Sequence, residues 1–554
     1  MPHVITQSCC NDASCTAVCP VDCIHPTMDE PRYATAESLY IDPDACIDCG
    51  ACVEHCPVDA IVADDRLSPD QQRFQQINAS YFTAYPTVAR STPVSPVPSA
   101  ENLSGIRIGV VGTGPAGMYT ALELLNHRGV DIELYDRSVT PYGLLRTGVA
   151  PDHPDTKAMA NLFDPALRKR NVSLHLGVAV GSDVSTDELL AHHSAVVFAT
   201  GAATSRRTNI PGSELAGVHS ATRFVGWYNG GVDEASASFD LSGQRVVIIG
   251  NGNVAIDVAR ILLSDPAHLA RTDITDHALE ALRSSSIREV VLLGRRGPAQ
   301  ASYTTPEFLA LLNRSDFNVV IDPDEAAPDD LSRHQIVNDP VAAFKVQLAQ
   351  EVAGRRPSGA ARRLVFRYLT SPVRYSGTGA VAAVHVSRNT LASGHDGVVQ
   401  AISGPEAEVI DTSLVLEAIG YRGTEVPGLP FDPHRGVIPN RNGRVLSDAE
   451  GDPVPGAYVV GWSKRGPLGV IGSNKRCARE TVSCLLDDIG AGVVTAAPER
   501  AELVALLARR RPDAVGYDGW SRIDSAERSA GDRTGRPRLK LTDVDELRRA
   551  AAAL

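Results

Sequence analysis

IRIGVVGTGPAGMYTALELL, residues 106–125, is the most informative stretch of this 554-residue chain. It predicts a buried strand that runs into Gly112, Gly114 and Gly117 and then a helix. Glycines in such a turn permit a tight bend, let the backbone approach a pyrophosphate and allow close helix–strand packing, while the helix N-terminus supplies N–H donors. The next strand, DIELYD, ends in Asp136, where a carboxylate can accept hydrogen bonds from ribose hydroxyls. These features predict a dinucleotide-binding fold.

A second turn of the same kind follows the strand that begins at Arg245. It reads GNGNVA over residues 250–255 and opens another helix. The strand after that helix ends in Arg295 and Arg296, where NAD enzymes have an acidic residue. Two guanidinium groups can instead bind a 2′-phosphate, which favours NADP over NAD. Because the first fold carries GxGPAG, the pair predicts FAD in the first fold and NADPH in the second.

The rest of the chain completes this plan. AVVFATG (195–201) and LVLEAIGY (414–421) resemble the two crossings between the domains of two-dinucleotide-fold flavoproteins. Residues 458–475 predict a strand, a glycine-rich turn and a helix whose N-terminus faces the flavin pyrimidine. The expected domains are therefore residues 105–203 with 413–490 for FAD, residues 204–412 for NADP, and a helical, arginine-rich extension at 491–554.

The N-terminal segment carries nine of the eleven cysteines. Cys46, Cys49, Cys52 and Cys56 followed by Pro57 form the C-x2-C-x2-C-x3-C-P run of bacterial iron–sulfur ferredoxins, in which the fourth cysteine ligates the other cluster. Structural zinc also uses C-x2-C pairs, but it does not need the third and fourth cysteines at these offsets. The pattern therefore favours iron–sulfur clusters.

The first half of the segment repeats the run with one change. Cys9, Cys15, Cys19 and Pro20 stand where the repeat requires them, but the second position is Asp12. This stretch resembles seven-iron ferredoxins, although they often have two more residues between the first two of these cysteines. Residues 1–65 are expected to form an α+β ferredoxin module of the bacterial two-cluster type.

Exchange of the fourth cysteines between the two runs predicts two clusters. One would be a [4Fe–4S] cluster with four thiolate ligands: Cys19, Cys46, Cys49 and Cys52. The other would have three: Cys9, Cys15 and Cys56. The second cluster is then either [3Fe–4S] or a [4Fe–4S] whose fourth iron binds Asp12 or solvent.

Charge and composition narrow the functional classes further. Residues 1–65 hold twelve acidic residues and one basic residue, whereas the whole chain has a net charge of −13. An acidic module is unsuited to nucleic acid and suited to a basic protein surface. Residues 66–104 predict a semi-extended, proline-rich tether that would let the module reach a distant docking face. With no signal peptide and no run of about 18 apolar residues, we expect a cytoplasmic protein without a membrane span.

Several longer segments support a family resemblance. Residues 106–489 closely resemble NADPH–adrenodoxin reductases and their bacterial homologues, which are FAD proteins that pass electrons from NADPH to ferredoxins. The whole chain resembles the fused ferredoxin/ferredoxin–NADP reductases. The segments that carry the resemblance are VVGTGPAGMY (110–119), TPYGLLRTGVAPDHPDTK (140–157), GNGNVAIDVARILL (250–263), GRRGPAQASYTTPE (294–307) and GWSKRGPLGVIGSNK (461–475).

The resemblance implies site residues. His153 is similar to the histidine near the flavin, and Glu307 to the carboxylate on the nicotinamide side. FAD contacts would come from the first glycine turn (Gly112, Gly114, Gly117) and from Ala116, Asp136, Leu144, Val180, Trp462, Gly469, Val470 and Ile471. NADP contacts would come from Asn251, Gly252, Asn253, Val254, Arg295, Arg296, Glu307 and Gly469.

The resemblance also implies ferredoxin–NADP⁺ reductase activity, with an α/β reductase of two Rossmann-like, three-layer domains. NADPH would give a hydride to FAD, and electrons would then pass singly to the fused clusters and onward to a separate ferredoxin or cytochrome-type acceptor. Two alternatives remain open. One is an electron-input subunit like the small subunit of glutamate synthase, and the other is a non-catalytic, NADPH-binding redox sensor.

Overall fold

A computed structural model of the chain describes residues 2–86, 101–356, 358–394 and 398–553. Within these ranges a small N-terminal module, two α/β units and a group of C-terminal helices pack together. The module has two antiparallel strand pairs, β1–β4 and β2–β3, with two short helices between them. Its elements, with the helix that follows, are β1 (His3–Ile5), α1 (Ser14–Val18), β2 (Ile24–His25), β3 (Tyr40–Ile41), α2 (Ala51–Glu54), β4 (Ile61–Ala63) and α3 (Arg73–Ala84).

The first α/β unit is built on a seven-stranded sheet that is completed late in the chain. Its order is β20-β21-β22-β8-β5-β6-β7, in which the strands from β22 to β7 are parallel. The early elements are β5 (Arg107–Val111), α4 (Pro115–Leu124), β6 (Asp131–Asp136), α5 (Leu144–Thr147), α6 (Pro154–Lys157), α7 (Met159–Leu167), β7 (Val172–Leu176), α8 (Thr186–His192) and β8 (Ala195–Phe198).

The second α/β unit has a parallel six-stranded sheet in the order β10-β18-β11-β12-β14-β13 and a separate antiparallel sheet, β15-β16-β17. Its elements are β9 (Thr204–Ser205), β10 (Val218–Ser220), α9 (Ala221–Asn229), β11 (Arg245–Ile249), α10 (Asn253–Leu263), α11 (Pro266–Leu269), α12 (Asp276–Arg283), β12 (Glu289–Leu293), α13 (Thr305–Leu312), β13 (Asn318–Ile321), α14 (Pro323–Ala326), α15 (Asp330–Asn338), α16 (Pro340–Ala353), β14 (Arg363–Arg367), β15 (Thr370–Ser376), β16 (Ala383–Ser393), β17 (Val399–Asp411) and β18 (Leu414–Glu417).

The chain then returns to the first unit and ends in helices. Strand β19 pairs antiparallel with β9, so the two crossings between the units run side by side. The returning elements are β19 (Tyr421–Arg422), β20 (Asn440–Arg441), β21 (Arg444–Leu446), β22 (Pro453–Val459), α17 (Trp462–Arg465) and α18 (Ser473–Gly490), and the C-terminal helices are α19 (Arg500–Arg510), α20 (Tyr517–Asp532) and α21 (Val544–Ala552).

The expected boundary at residue 413 is wrong by one strand. Strand β18 was assigned to the first unit, but it lies between β10 and β11 in the sheet of the second unit. An apolar run such as LVLE fits the centre of any parallel sheet, so the sequence does not tell which sheet receives it. The helical C-terminal extension has the expected secondary structure, and Trp520 and Ile523 of α20 are buried against the first unit.

The expected tether is wrong over its first part. Residues 73–84 form α3 because Phe74, Ile77 and Tyr81 recur at helical spacing and are all buried. Tyr81 stacks on Tyr40 of the module with ring centroids 4.4 Å apart. Residues 87–100, which include the prolines at the centre of the predicted tether, lie outside the described residues.

Helix α3 fixes the module to the second unit rather than tethering it loosely. Its Asn78 accepts hydrogen bonds from the backbone N–H groups of Ile5 and Ile41, at 3.2 and 2.9 Å. Arg73 donates two hydrogen bonds to Glu351 of α16, at 2.8 and 3.1 Å. The buried side chains of α3 belong to the same apolar core as the second unit, so the module shares a core with that unit.

Candidate functional site

The first glycine turn is shaped by close backbone approaches. Gly112 has φ +106°, and a Cβ there would lie 2.3 Å from the carbonyl oxygen of Ala199. A Cβ on Gly117 would lie 1.9 Å from the carbonyl oxygen of Gly112. A Cβ on Gly114, in contrast, would meet no protein atom within 4 Å. Gly112 therefore lets the turn approach the end of β8, and Gly117 lets α4 pack on β5. Gly114 leaves open space at the helix N-terminus, as a bound phosphate requires.

Other predicted residues of the first unit converge on this turn. Asp136 accepts hydrogen bonds from the backbone N–H and the hydroxyl of Thr113, at 2.8 and 2.6 Å. A Cβ on Gly143, just before Leu144, would lie 3.1 Å from Gly114 Cα. A Cβ on Gly461, just before Trp462, would lie 2.5 Å from Ala116 Cβ. The turns that carry Leu144 and Trp462 therefore adjoin the start of α4.

The remaining predicted residues of the first unit lie at its edges. Val180 follows β7 and packs against the apolar cluster that contains Val111 and Tyr135. Gly469, Val470 and Ile471 lie directly before α18, which packs on α4. The N-termini of α4 and α18 thus flank one region of the first unit.

The second glycine turn repeats the same division of roles. Gly250 has φ +113°, and its Cβ would lie 2.4 Å from the carbonyl oxygen of Ala418, whereas a Cβ on Gly252 would have Ser302 Cβ as its nearest neighbour, at 3.8 Å. Asn253 accepts a hydrogen bond of 2.8 Å from the backbone N–H of Thr304. The turn, with Asn251 and Val254 in it, is therefore joined to the segment that precedes α13.

Arg295 and Arg296 follow β12 beside this turn. Burial and the neighbouring charge of Arg295 lower the pKa of Arg296. Two cations held side by side repel each other, so this position suits an anion that neutralises both.

His153 and Glu307 are brought together from different units. His153 Nε2 lies 3.8 Å from Glu307 Oε2 and 3.5 Å from Asp257 Oδ1. Burial and Arg260 act to lower the pKa of His153, but the side chains of Asp257 and Glu307 outweigh them and raise it. Burial, the largest influence, raises the pKa of Glu307. His153 and Glu307 therefore lie close together and partly buried at the junction of the two units.

Sequence reasoning missed the residues that hold this contact. Arg260 of α10 donates to both carboxylate oxygens of Asp152, at 2.6 and 3.0 Å, and to Asp257 at 2.7 Å. Burial alone would raise the pKa of Asp152, but Arg260 lowers it to about 2. The signal was present, because Asp257 and Arg260 stand three residues apart on the helix that follows the second glycine turn.

The cysteines separate into the two expected groups. Cys19, Cys46, Cys49 and Cys52 line one small pocket, together with Cys23. The other three, Cys9, Cys15 and Cys56, pack against the core of the module, and two of them, Cys9 and Cys56, also contact the core of the first unit. Burial and then the nearby Cys9 and Cys56 raise the pKa of Cys15. Each group offers thiol ligands of the kind that iron–sulfur clusters require.

The module lies across both units beside the His153 contact. Gln7 donates a hydrogen bond of 3.1 Å to Glu307. Glu37 accepts one of 2.8 Å from the backbone N–H of Thr305 and pairs with Lys345 of α16 at 2.5 Å. An open cleft lies between the module and α3 on one side and His153 and Arg260 on the other.

Relatives with known names match the whole chain. A protein of Mycobacterium tuberculosis named probable ferredoxin/ferredoxin–NADP reductase is 47% identical over 568 residues, covering 100% of this chain and 95% of the relative. A protein of the same name from Mycobacterium leprae is 45% identical and covers 100% and 98%. The chain belongs to the ferredoxin/ferredoxin–NADP reductase family. The resemblance inferred from the sequence is confirmed.

Domain and structure comparisons agree with this membership. Residues 106–292 match the family described as pyridine nucleotide-disulphide oxidoreductase, and residues 39–62 match the 4Fe-4S binding domain. The solved structure of Mycobacterium tuberculosis FprA in complex with NADPH is 42% identical, with a TM-score of 0.77, and covers 81% of this chain and 100% of FprA. The matched part of the chain therefore has the fold of FprA. Among the described residues, no helix has the length and apolar character needed to cross a membrane.

Proposed function

We propose that the protein is an FAD-dependent ferredoxin–NADP⁺ reductase that carries its own two-cluster ferredoxin. The observation that supports this most strongly is the position of the cysteine module. It contacts Glu307 of the second unit through Gln7 and the segment before α18 of the first unit through Cys10. An electron-carrier module that contacts both units is consistent with a reductase that passes electrons to a carrier in its own chain.

The first unit is proposed to bind FAD. The open space at Gly114, the carboxylate of Asp136 and the N-termini of α4 and α18 suit the pyrophosphate, a ribose and the flavin. The contacts implied by the resemblance, including Ala116, Leu144, Val180, Trp462 and residues 469–471, are proposed on the same basis. When bound, FAD would accept a hydride from NADPH and release electrons one at a time, as clusters require.

The second unit is proposed to bind NADPH. Gly252 leaves room at the turn, and Arg295 and Arg296 offer two cations for the 2′-phosphate. His153 and Glu307 would position the nicotinamide at the junction of the units. Because the reaction transfers a hydride and single electrons, it needs no acid–base chemistry on an organic substrate. With β18 assigned to the second unit and α3 to the N-terminal module, the proposed domains otherwise follow the sequence boundaries.

The N-terminal module is proposed to hold a [4Fe–4S] cluster at Cys19, Cys46, Cys49 and Cys52 and a second cluster at Cys9, Cys15 and Cys56. Cys49 of the first group is exposed, and the neighbouring Ile47 is 58% exposed, so this group lies toward solvent. The acidic charge of the module suits a basic acceptor, such as a separate ferredoxin or cytochrome-type protein.

An anaerobic titration with NADPH, followed by optical and EPR spectra, tests the proposal. We expect bleaching of the flavin band and then the EPR signals of reduced clusters. A protein that binds NADPH without bleaching would support the redox-sensor alternative. Reduction by NADPH without any transfer to cytochrome c or a ferredoxin would favour an electron-input subunit for another enzyme.

A further inference from the structure

Asp12 occupies the position at which the cysteine repeat departs from its pattern. It is 3% exposed, and both of its carboxylate oxygens are engaged. Oδ2 accepts a hydrogen bond of 2.7 Å from the Tyr119 hydroxyl and lies 3.3 Å from Lys475 Nζ. Oδ1 accepts from the backbone N–H of Ser14 at 3.1 Å and from the Ser14 hydroxyl. The carboxylate therefore faces the reductase.

The partners of Asp12 come from the two helices that flank the proposed FAD region. Tyr119 lies on α4 and Lys475 on the first turn of α18. Lys475 also donates to the Ser14 hydroxyl at 2.9 Å, so its ammonium group bridges two residues of the module. A buried carboxylate is tolerated because a cation and a hydroxyl compensate for its lost hydration.

The backbone around Asp12 is seated on the same surface. The N–H of Gly472 donates a hydrogen bond of 2.7 Å to the carbonyl oxygen of Cys10. A Cβ on Gly472 would lie 2.1 Å from Asn11 carbonyl atoms and 2.2 Å from the nitrogen of Asp12. The Tyr33 hydroxyl donates to the Asn11 carbonyl oxygen at 2.6 Å. Residues 10–12 therefore meet the reductase without an intervening side chain.

We infer that Asp12 is the anchor of the ferredoxin module on the reductase and not a ligand of cluster iron. Tyr119 and Lys475 hold the oxygen atom Oδ2, while Ser14 holds Oδ1. The chain thus places a docking contact at the position where the repeat has its second cysteine, and the site of Cys9, Cys15 and Cys56 has three protein ligands. This inference rests on the proposed presence of clusters.

Hydrogen–deuterium exchange and EPR on the full-length protein test the two halves of the inference. Asp12→Asn is expected to speed exchange in residues 8–16 and 469–476 by about tenfold, because a charge-assisted contact is lost. Tyr119→Phe with Lys475→Met should speed exchange in the same segments. Asp44→Asn, which removes an exposed charge from the same module, is the matched control and should leave both segments unchanged.

Iron content and the EPR signal of the oxidised [3Fe–4S] cluster should be the same in the wild type, in Asp12→Asn and in the Tyr119/Lys475 variant. The inference is overturned if Asp12→Asn lowers the iron content or creates the three-iron signal, or if exchange in both segments stays at the wild-type rate. A wild-type protein without iron would instead refute the proposed clusters, and the exchange data would still decide whether Asp12 anchors the module.

Discussion

The two α/β units begin with the same glycine turn but end their second strands on opposite charges. In the first unit, Asp136 is held by the backbone and hydroxyl of Thr113. In the second unit, Arg295 and Arg296 stand at the corresponding position. The glycine turn indicates that a dinucleotide binds. The end of the next strand indicates which dinucleotide it is, because a carboxylate suits a ribose hydroxyl and paired arginines suit a 2′-phosphate. We expect this difference to make the first unit bind FAD and the second unit bind NADPH.

The largest effect is expected when the charge difference is removed. Arg295→Ala with Arg296→Ala takes away two charge-assisted contacts to the 2′-phosphate, each on the order of 1.5–3 kcal/mol. We expect the ratio of kcat/KM for NADPH to that for NADH to fall by roughly 100-fold or more. Steady-state kinetics with both cofactors measures it, and an unchanged ratio would refute our assignment of the second unit.

Gly114→Ala tests the first turn. The added Cβ meets no protein atom, so the fold is expected to survive, whereas a methyl group in the phosphate space should cost about 1–3 kcal/mol and weaken FAD binding by roughly tenfold to 100-fold. Gly112→Ala is the contrasting variant, because its Cβ collides with Ala199 and should prevent folding. Flavin absorbance per chain and circular dichroism separate the two. A Gly114→Ala protein with full flavin would contradict the proposed site.

A third effect concerns the ion pair that joins the units. The pKa of Asp152 is depressed to about 2 by Arg260, so the pair stabilises the folded state fully above the ordinary carboxyl range near 3.8 and loses that contribution as the pH falls through about 2. The shift corresponds to about 2 kcal/mol. Urea unfolding of wild type and Asp152→Asn should show that the wild-type advantage shrinks between about pH 5 and about pH 2. A constant difference across this range would show that the pair does not titrate in this way.

The smallest effect concerns the hydrogen bond between the N-terminal module and the second unit. Gln7→Leu removes the hydrogen bond to Glu307, which we assign to the NADPH side. One such bond contributes on the order of 1 kcal/mol, so KM for NADPH should rise about fivefold while flavin content stays constant. Ser8→Ala, which removes the contact with Asp155, is the neighbouring control. Equal KM values for Gln7→Leu and wild type would show that the Gln7–Glu307 hydrogen bond does not affect NADPH binding.

Local patterns predicted most of the reductase and its glycine turns. The sequence could predict the roles of Gly112, Gly114 and Gly250 because a strand, a tight turn and a helix follow one another within a short segment. Helix α3 was missed although Phe74, Ile77 and Tyr81 carry a helical period, since the surrounding prolines and polar residues suggested a tether. The helical period decides the structure here, because it places the apolar side chains of α3 on one face, which the module and α16 bury together.

The sequence could not predict contacts between segments that are far apart along the chain. Asp12 and Lys475 are 463 residues apart, and Asp152 and Arg260 are 108 apart, so no spacing rule relates them. Asp12 was recognised as a departure from the repeat, and its possible role as an iron ligand was the only chemistry that the sequence suggested. Its partners Tyr119 and Lys475 come from α4 and α18, which meet the module only in the folded protein.

The apolar core shared by α3 and the second unit has a kinetic consequence. A separate carrier must find its reductase by diffusion, so its reduction slows on dilution and depends on ionic strength. Here the carrier is already seated, and reduction of the N-terminal module is expected to be first order in the chain, independent of protein concentration and nearly insensitive to salt. Encounter by diffusion would then limit only the final transfer, from the exposed surface around Ile47 to an outside acceptor.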